Sequence, residues 1–514
     1  VTVNSGGTLA PGNSPGILTI AGDLSLTPGS VTVMEIDGPA PGTGHDQVNV
    51  SGTATLDGTL QLDFGFAPTE GDSFNLINAG SIVRAGDAET GFAAITSNLG
   101  ETLLATTVID PTTFDILVEL AQQSFVETVG ADLTPNQRQV AAGLDQFSTS
   151  GQAADLIGAL NMLSAQELPA AIGSLTGEQH THMQTLAFQV SREFQRLLSA
   201  RLGGDAAALA GQDNLMLAAY EGAAGSDAGR AGLYAEGRPA RGWWVRGHGG
   251  FGDIDDTDSV EGADYHSAGL VIGADTRLVN QLVAGAAVGY TRTDADTAAG
   301  NLDVDSYLLA GYGGWQDRNV YLRGTAGLAY HDTAANRRVA FGGFDRTAEA
   351  DYEGWTATAS AEGGRAYALE GFTATPFIGL EYTHLRRDGF TESGAGGANL
   401  RVDSERQDSL RSVLGARLMF APRAIRGLQV SPAIEAAWVH EYLDDDARID
   451  VGFAATTASD FRIRGPELDR DRARLGAGLV AQLARNTRLR VGYLGEIAGS
   501  DDHHAFNATL QMKW

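Results

Sequence analysis

Five stretches of this chain carry residue types that could do chemistry. Gly71-Asp72-Ser73-Phe74 sets a serine after a Gly-Asp pair. A nucleophilic serine needs a base and an orienting acid within reach, and no Asp-x-x-His follows before residue 242, so a turn leading into a strand is the favoured reading. His440-Glu441 is half of a zinc-protease motif, but position 444 is Asp444 where the second histidine would stand, and one histidine makes no zinc site. His180-Thr181-His182 and His503-His504 are possible ligands. Residues two apart on a helix and neighbours on a strand both point to different faces, which favours structural or solvent-facing roles. Tyr442-Leu-Asp-Asp-Asp-Ala offers carboxylates to calcium without a twelve-residue loop and its glycine, and reads as a solvated charge run. No Walker-type phosphate loop occurs. Taken together, these stretches predict no catalytic, cofactor or metal site in the chain.

Composition bounds the rest. The chain has 514 residues, a formal net charge of -29, 67 glycines, 14 prolines and no cysteine. Its length points to more than one domain. No run approaches the ~20 apolar residues of a membrane helix, so any membrane passage must use β-strands. Lack of cysteine removes disulfides and thiolate metal sites, and suits a chain that crosses an oxidising periplasm unfolded. The acidic balance argues against a nucleic-acid partner, because phosphate binding needs clustered Arg and Lys. Lys513 is the only lysine, and no function is drawn from that. Val1-Thr-Val-Asn-Ser-Gly-Gly starts in mid-pattern with neither an initiator Met nor a signal peptide, which predicts residues upstream.

Three textures divide the chain. Residues 1–120 are short β-runs broken by Gly, Asn, Asp and Pro, repeating at roughly twenty residues or a little more, as in a β-solenoid. A sandwich fits short strands too, but the small or aliphatic apolar residues and scarce aromatics favour the solenoid. Residues 121–241 change period. Thr134 with Pro135 marks a helix start, and Ser164 with Glu167 matches a capping box. Met183, Leu186, Val190, Phe194 and Leu197 lie at helical spacing within 180–202. Gly203 to Arg241 reads as an Ala, Gly and Asp-rich linker with a weaker helix at Asn214 to Tyr220.

Residues 242–514 hold all six Trp and eleven of the thirteen Tyr, in twelve alternating runs. Each repeat takes about 23 residues, enough for a tilted membrane strand of ~9 to 11 residues plus a connection. An even number closes without an edge. Val320, Leu322, Ala326, Leu328 and Tyr330 are predicted to face lipid, opposite Tyr321, Arg323, Thr325 and His331. Ile378, Leu380 and Tyr382 oppose Thr375, Glu381 and Thr383, and Ile434, Ala436 and Trp438 oppose Glu435 and Glu441. A charge on the lipid face costs roughly 2 to 4 kcal/mol at the bilayer midplane. Arg246, Arg323, Glu381, Arg411, Arg417, Glu435, Arg488 and Arg490 are therefore predicted to line a pore. Asp332 to Asp351, Asp388 to Glu405 and Asp444 to Asp471 are expected as long polar loops on the outer side. The last strand presents Phe506, Ala508, Leu510, Met512 and Trp514 on one apolar face.

These features together resemble type Va autotransporters, the type V secretion proteins of Gram-negative bacteria. The order of β-solenoid, helical junction and twelve-stranded barrel with an aromatic last residue carries the likeness. So do Pro11-Gly-Asn-Ser-Pro-Gly, Gly71-Asp-Ser-Phe-Asn-Leu-Ile, Trp244-Val-Arg-Gly, Trp438-Val-His-Glu-Tyr and Met512-Lys-Trp. The resemblance implies a mostly β protein of the outer membrane, with a right-handed solenoid passenger at the cell surface and a monomeric translocator barrel. It implies membrane lipid, the barrel assembly machinery and periplasmic chaperones as partners. The machinery would read Phe506, Ala508, Leu510, Met512 and Trp514, and the coils at about 52–120 would help the passenger fold outside. A helix, either 180–202 or 214–220, would plug the narrow lumen. Some members cut themselves after an Asn-Asn pair, which is absent here. Gly71-Asp-Ser-Phe also resembles the nucleophile block of Gly-Asp-Ser-Leu esterases, some of them autotransporter passengers, but lacks their downstream Asp-x-x-His. An esterase or protease passenger upstream is one alternative, and a diffusion porin is another, disfavoured by size and by the helical junction.

Overall fold

The computed structural model describes residues 1–12, 15–146, 153–202, 241–257, 260–278, 282–317, 319–426, 428–443, 446–456, 460–484 and 487–512. The alternating β-runs at the start pair in parallel. Thr2–Val3, Leu24–Leu26, Gln47–Leu56 and Ser73–Arg84 form one ladder, and Thr8–Leu9, Val31–Ile36, Thr59–Phe64 and Ala94–Ser97 another. Thr8 lies opposite Val31, Val31 opposite Thr59 and Thr59 opposite Ala94. Those steps are 23, 28 and 35 residues: the first fits the twenty or a little more read from the sequence, and the later ones are longer because the turns between strands lengthen, as between Ile36 and Gln47. Leu24, Met34, Leu62, Phe74 and Ile77 fill the space between the ladders. The antiparallel hairpin Leu103–Ile109 and Asp115–Gln122 ends the first ladder.

Helices follow at Phe125–Val129, Pro135–Leu144, Ala154–Asn161, Leu168–Gly173 and Gln179–Arg201. Thr134 caps the second: its side chain accepts from Gln137 N while the Gln137 side chain accepts from Thr134 N. Ser164 does not cap in this way. Its backbone and hydroxyl bond Glu167 at 3.0 and 2.7 Å, closing a turn one step before the helix that begins at Leu168.

Twelve antiparallel strands form the barrel: Arg241–Ile254, Ala263–Arg277, Leu282–Asp296, Gly300–Asp317, Val320–Phe341, Phe344–Arg365, Phe372–Arg387, Glu405–Phe420, Leu428–Glu441, Asp471–Ala484, Thr487–Ile497 and Asp502–Met512. The first and last pair from Gly247 opposite Ala508 to Phe251 opposite His504, so the sheet closes. Alternation sorts the faces as the lipid cost requires. Leu322, Ile378 and Leu414 are more than half exposed on the outside, while Arg323, Thr375 and Arg411 are buried within. Tyr290, Tyr307, Tyr330 and Trp355 are cross-strand partners on the outer face, and their rings touch in sequence at 5.4, 6.3 and 4.9 Å. This is the aromatic belt of a membrane interface.

The expected long loops are corrected. Residues 332–351 continue the fifth and sixth strands, paired from Asp332 opposite Glu353 to Phe341 opposite Phe344. The hairpin turns at Gly342 and Gly343, both at positive φ. The other two loops contribute a small sheet, Phe390–Thr391, Leu400–Val402, Asp446–Phe453 and Asp460–Glu467. Charges alternate here with buried Leu400, Val402, Ile449, Val451 and Ile463, which pack with Val140, Leu156, Leu160 and Ile172 of the helices. The loops are thus a folded lid on the helical segment.

Candidate functional site

The interior of the barrel is occupied by the helix Gln179–Arg201, whose 23 residues span about 35 Å, close to the ~30 Å hydrocarbon thickness. Its polar residues are buried along with its apolar ones, so it is a helix made for a wet lumen. Gln179 and Gln184 donate to Asn336 O and Arg448 O at the end with the long connections. At the short-turn end, Arg246 and Arg323 donate to Leu197 O at 3.1 Å and Ser199 O at 2.9 Å. They add a second donor to carbonyls of the last helical turns, Ser199 O also accepting from Leu202 N at 3.3 Å, and bring positive charge to the negative end of the helix dipole. Apolar side chains fit hollows in the wall: a Cβ at Gly289 would lie 3.0 Å from the Phe194 ring, and one at Gly354 2.8 Å from the Met183 methyl.

Charges on the helix meet opposite charges on the wall. Arg196 reaches Glu496 at 2.5 Å, and the same carboxylate holds Arg411 at 2.9 Å and Arg474 at 2.7 Å. Glu193 faces His248 at 2.9 Å, and Arg201 meets Asp275 at 2.7 Å. Arg192 donates to Ser409 at 2.8 Å, which in turn donates to Glu441 at 2.6 Å. Ser191 and Thr356 share a hydroxyl contact of 2.8 Å. On the outer side, Glu392 binds Arg337 at 2.5 Å and His180 at 2.9 Å. Burial works to raise the Glu392 carboxyl, but Arg337 and His180 outweigh it and hold it down to about 2.

The pore residues named from the sequence separate into groups. Arg246 and Arg323 touch the helix directly. Arg411 and Glu381 join it through Glu496 and Arg474. Arg417 and Glu435 pair at 2.6 Å within the wall, with Glu362 at 2.7 Å from Arg417. Arg490 is buried. Nothing is described of the Arg488 side chain. Phe506 and Ala508 face outward, Leu510 and Met512 lie in the last strand with side chains outside the described set, and Trp514 is outside the described residues. Of the two plug candidates, 180–202 corresponds to the lumen helix, and 214–220 lies outside the described residues.

Glu496 was missed, as were Arg474, Asp275, His248 and Glu362 on the wall and Arg337 and Glu392 on the outer side. Glu496 lies on the same face as Arg490 at period two, a signal present in the sequence. No group of three or more metal-ligating side chains occurs among the described residues. Asp72 accepts from Thr69 N in a turn beside exposed Ser73. His440 pairs with Asp471 at 2.7 Å, His503 approaches Tyr265 at 3.2 Å, and His504 approaches Tyr493 at 2.7 Å.

Residues 243–494, from the first barrel strand into the eleventh, match the autotransporter beta-domain family. The barrel is an autotransporter β-domain. An extracellular serine protease of Serratia marcescens is 26% identical over 363 residues, covering 69% of this chain and 32% of that protein. Esterase EstA of Pseudomonas aeruginosa is 25% identical over 267 residues, 51% of this chain and 41% of that one. The chain therefore spans well under half the length of these relatives. Among solved structures, the translocator domain of NalP from Neisseria meningitidis is 16% identical, with a TM-score of 0.44, covering 54% of this chain and 90% of that domain. As an autotransporter β-domain, this barrel is an outer-membrane protein, and its aromatic belt and apolar outer face meet lipid there.

Proposed function

We propose that this autotransporter carries its own N-terminal part through the outer membrane and displays it at the cell surface. The observation that supports this reading most is the path of the chain. The helices between Phe125 and Leu175 pack with the lid at the long-connection end, and the lumen helix leads to the short-turn end, where its last residue Arg201 meets Asp275. A chain that traverses its own pore has its upstream segment outside. Residues 1–120 are the membrane-proximal end of the passenger, a solenoid whose coils near 52–120 nucleate folding outside. Residues 121–241 form the junction and plug, and 242–514 the translocator.

The pore residues Arg246, Arg323, Glu381, Arg411, Arg417, Glu435, Arg488 and Arg490 serve to seat the helix. The barrel assembly machinery and periplasmic chaperones insert the barrel, and Phe506, Ala508, Leu510, Met512 and Trp514 are its assembly signal. An enzymatic passenger upstream is the second reading, favoured by relatives that are named as a serine protease and an esterase. A diffusion porin is disfavoured by the helix in the lumen.

Antibodies against residues 1–120 test the display reading on intact cells. Labelling without permeabilisation is expected, and Trp514→Asp should abolish it by stranding the barrel in the periplasm. Labelling only after permeabilisation would contradict display, and normal outer-membrane levels of the variant would contradict the assembly signal.

A further inference from the structure

The outer face of the barrel holds one arrangement that neither helix seating nor export uses. Arg386 on the seventh strand and Arg406 on the eighth are direct cross-strand partners, both outward and exposed. Like charges directly opposite one another on a sheet repel, at a spacing of roughly 5 Å. Acidic residues outnumber Lys and Arg by 64 to 35 in this chain, yet here two cations stand side by side, which calls for an anion. On the other side Arg386 is the cross-strand partner of Trp355, the last ring of the aromatic belt. Two residues nearer the membrane, His384 lies opposite Asp408, with its Nδ1 at 2.9 Å from that carboxylate, and Tyr382 donates to the same oxygen at 2.6 Å. Arg386 forms an ion pair with Asp388 at 3.4 Å, exposed to solvent and worth little by itself, and Glu353 faces outward on the sixth strand.

We infer that Arg386 and Arg406, flanked by Trp355, form a binding site for the phosphate of an outer-leaflet glycolipid headgroup. The belt fixes the depth: the patch begins where aromatic side chains give way to charge, which is where lipid phosphates lie. Two guanidinium forks side by side match the planar, multidentate demands of a phosphate better than ammonium groups would. The phosphate removes the repulsion between the two arginines, while the acyl chains run along the apolar outer face. The site depends on the outer-membrane placement of the barrel.

The full chain, folded in phosphatidylcholine nanodiscs, tests this with a diphosphorylated glucosamine-disaccharide lipid and its dephosphorylated form as probes. The phosphorylated lipid should bind the unmodified chain, and R386Q/R406Q should bind it at least tenfold more weakly. R406Q alone should be intermediate. R365Q, which removes an outward arginine at the opposite end of the sixth strand, should have no effect. The unfolding temperature in phosphatidylcholine alone reports folding separately, so a failure of the barrel reading is distinguishable from a failure of the site. Equal binding by R386Q/R406Q, equal binding of both lipids, or competition by inorganic phosphate alone would overturn the proposal.

Discussion

Glu496→Gln should lower the unfolding temperature of the barrel sharply and turn a quiet pore into one that opens often in a planar bilayer. The carboxylate is buried and holds three guanidiniums, Arg196 of the helix and Arg411 and Arg474 of the wall. Glutamine keeps the shape and removes the charge. Arg411 and Arg474 can still share Glu381, at 3.9 and 3.0 Å. Arg196 then loses the carboxylate that binds it. Removing one partner of a buried ion pair costs about 3–5 kcal/mol, because the other charge stays desolvated. Part of that cost falls on the barrel and part on the seat of the helix, so both readouts should move. Glu496→Asp, which keeps the charge, should recover much of the loss. Unchanged stability and conductance in Glu496→Gln would mean that the helix is held by packing alone.

Phe453→Ala should release the lid. Phe453 is fully buried between the loop sheet and the helices, against Phe461 at a ring distance of 5.5 Å. Truncating a buried phenylalanine costs about 3–5 kcal/mol, which is large for a sheet with strands of two to eight residues. Arg448 and Arg462 should then become cleavable by trypsin while the membrane-embedded strands stay protected. Equal protection in both proteins would show that the lid does not depend on this core.

The barrel was legible because lipid enforces the alternation. Val320 to His331 sorts residue by residue, since a charged side chain on the outer face is penalised along the whole membrane span. Arg246 and Arg323 were legible as inward residues, but not as donors to helix carbonyls, because that depends on how deep the helix sits. The lid was not legible. Leu400 and Val402, or Ile449 and Val451, give short apolar alternations set among Asp, Arg and Gly, and that composition reads as loop. What makes them strands is the helical segment they cover, which is distant in sequence. Ser164 and Glu167 matched a capping box, yet close a turn instead, because local bonding favours both outcomes and packing of Leu168 decides.

The central claim, that the chain passes through its own barrel, is tested most directly by a disulfide. Ser191 on the helix and Thr356 on the wall bring their hydroxyls within 2.8 Å, and these 514 residues hold no cysteine to interfere. Ser191→Cys with Thr356→Cys should cross-link on mild oxidation of outer membranes and shift the unfolded protein's gel mobility. No cross-link, with both single cysteines open to a thiol reagent, would place the helix outside the lumen and contradict the account.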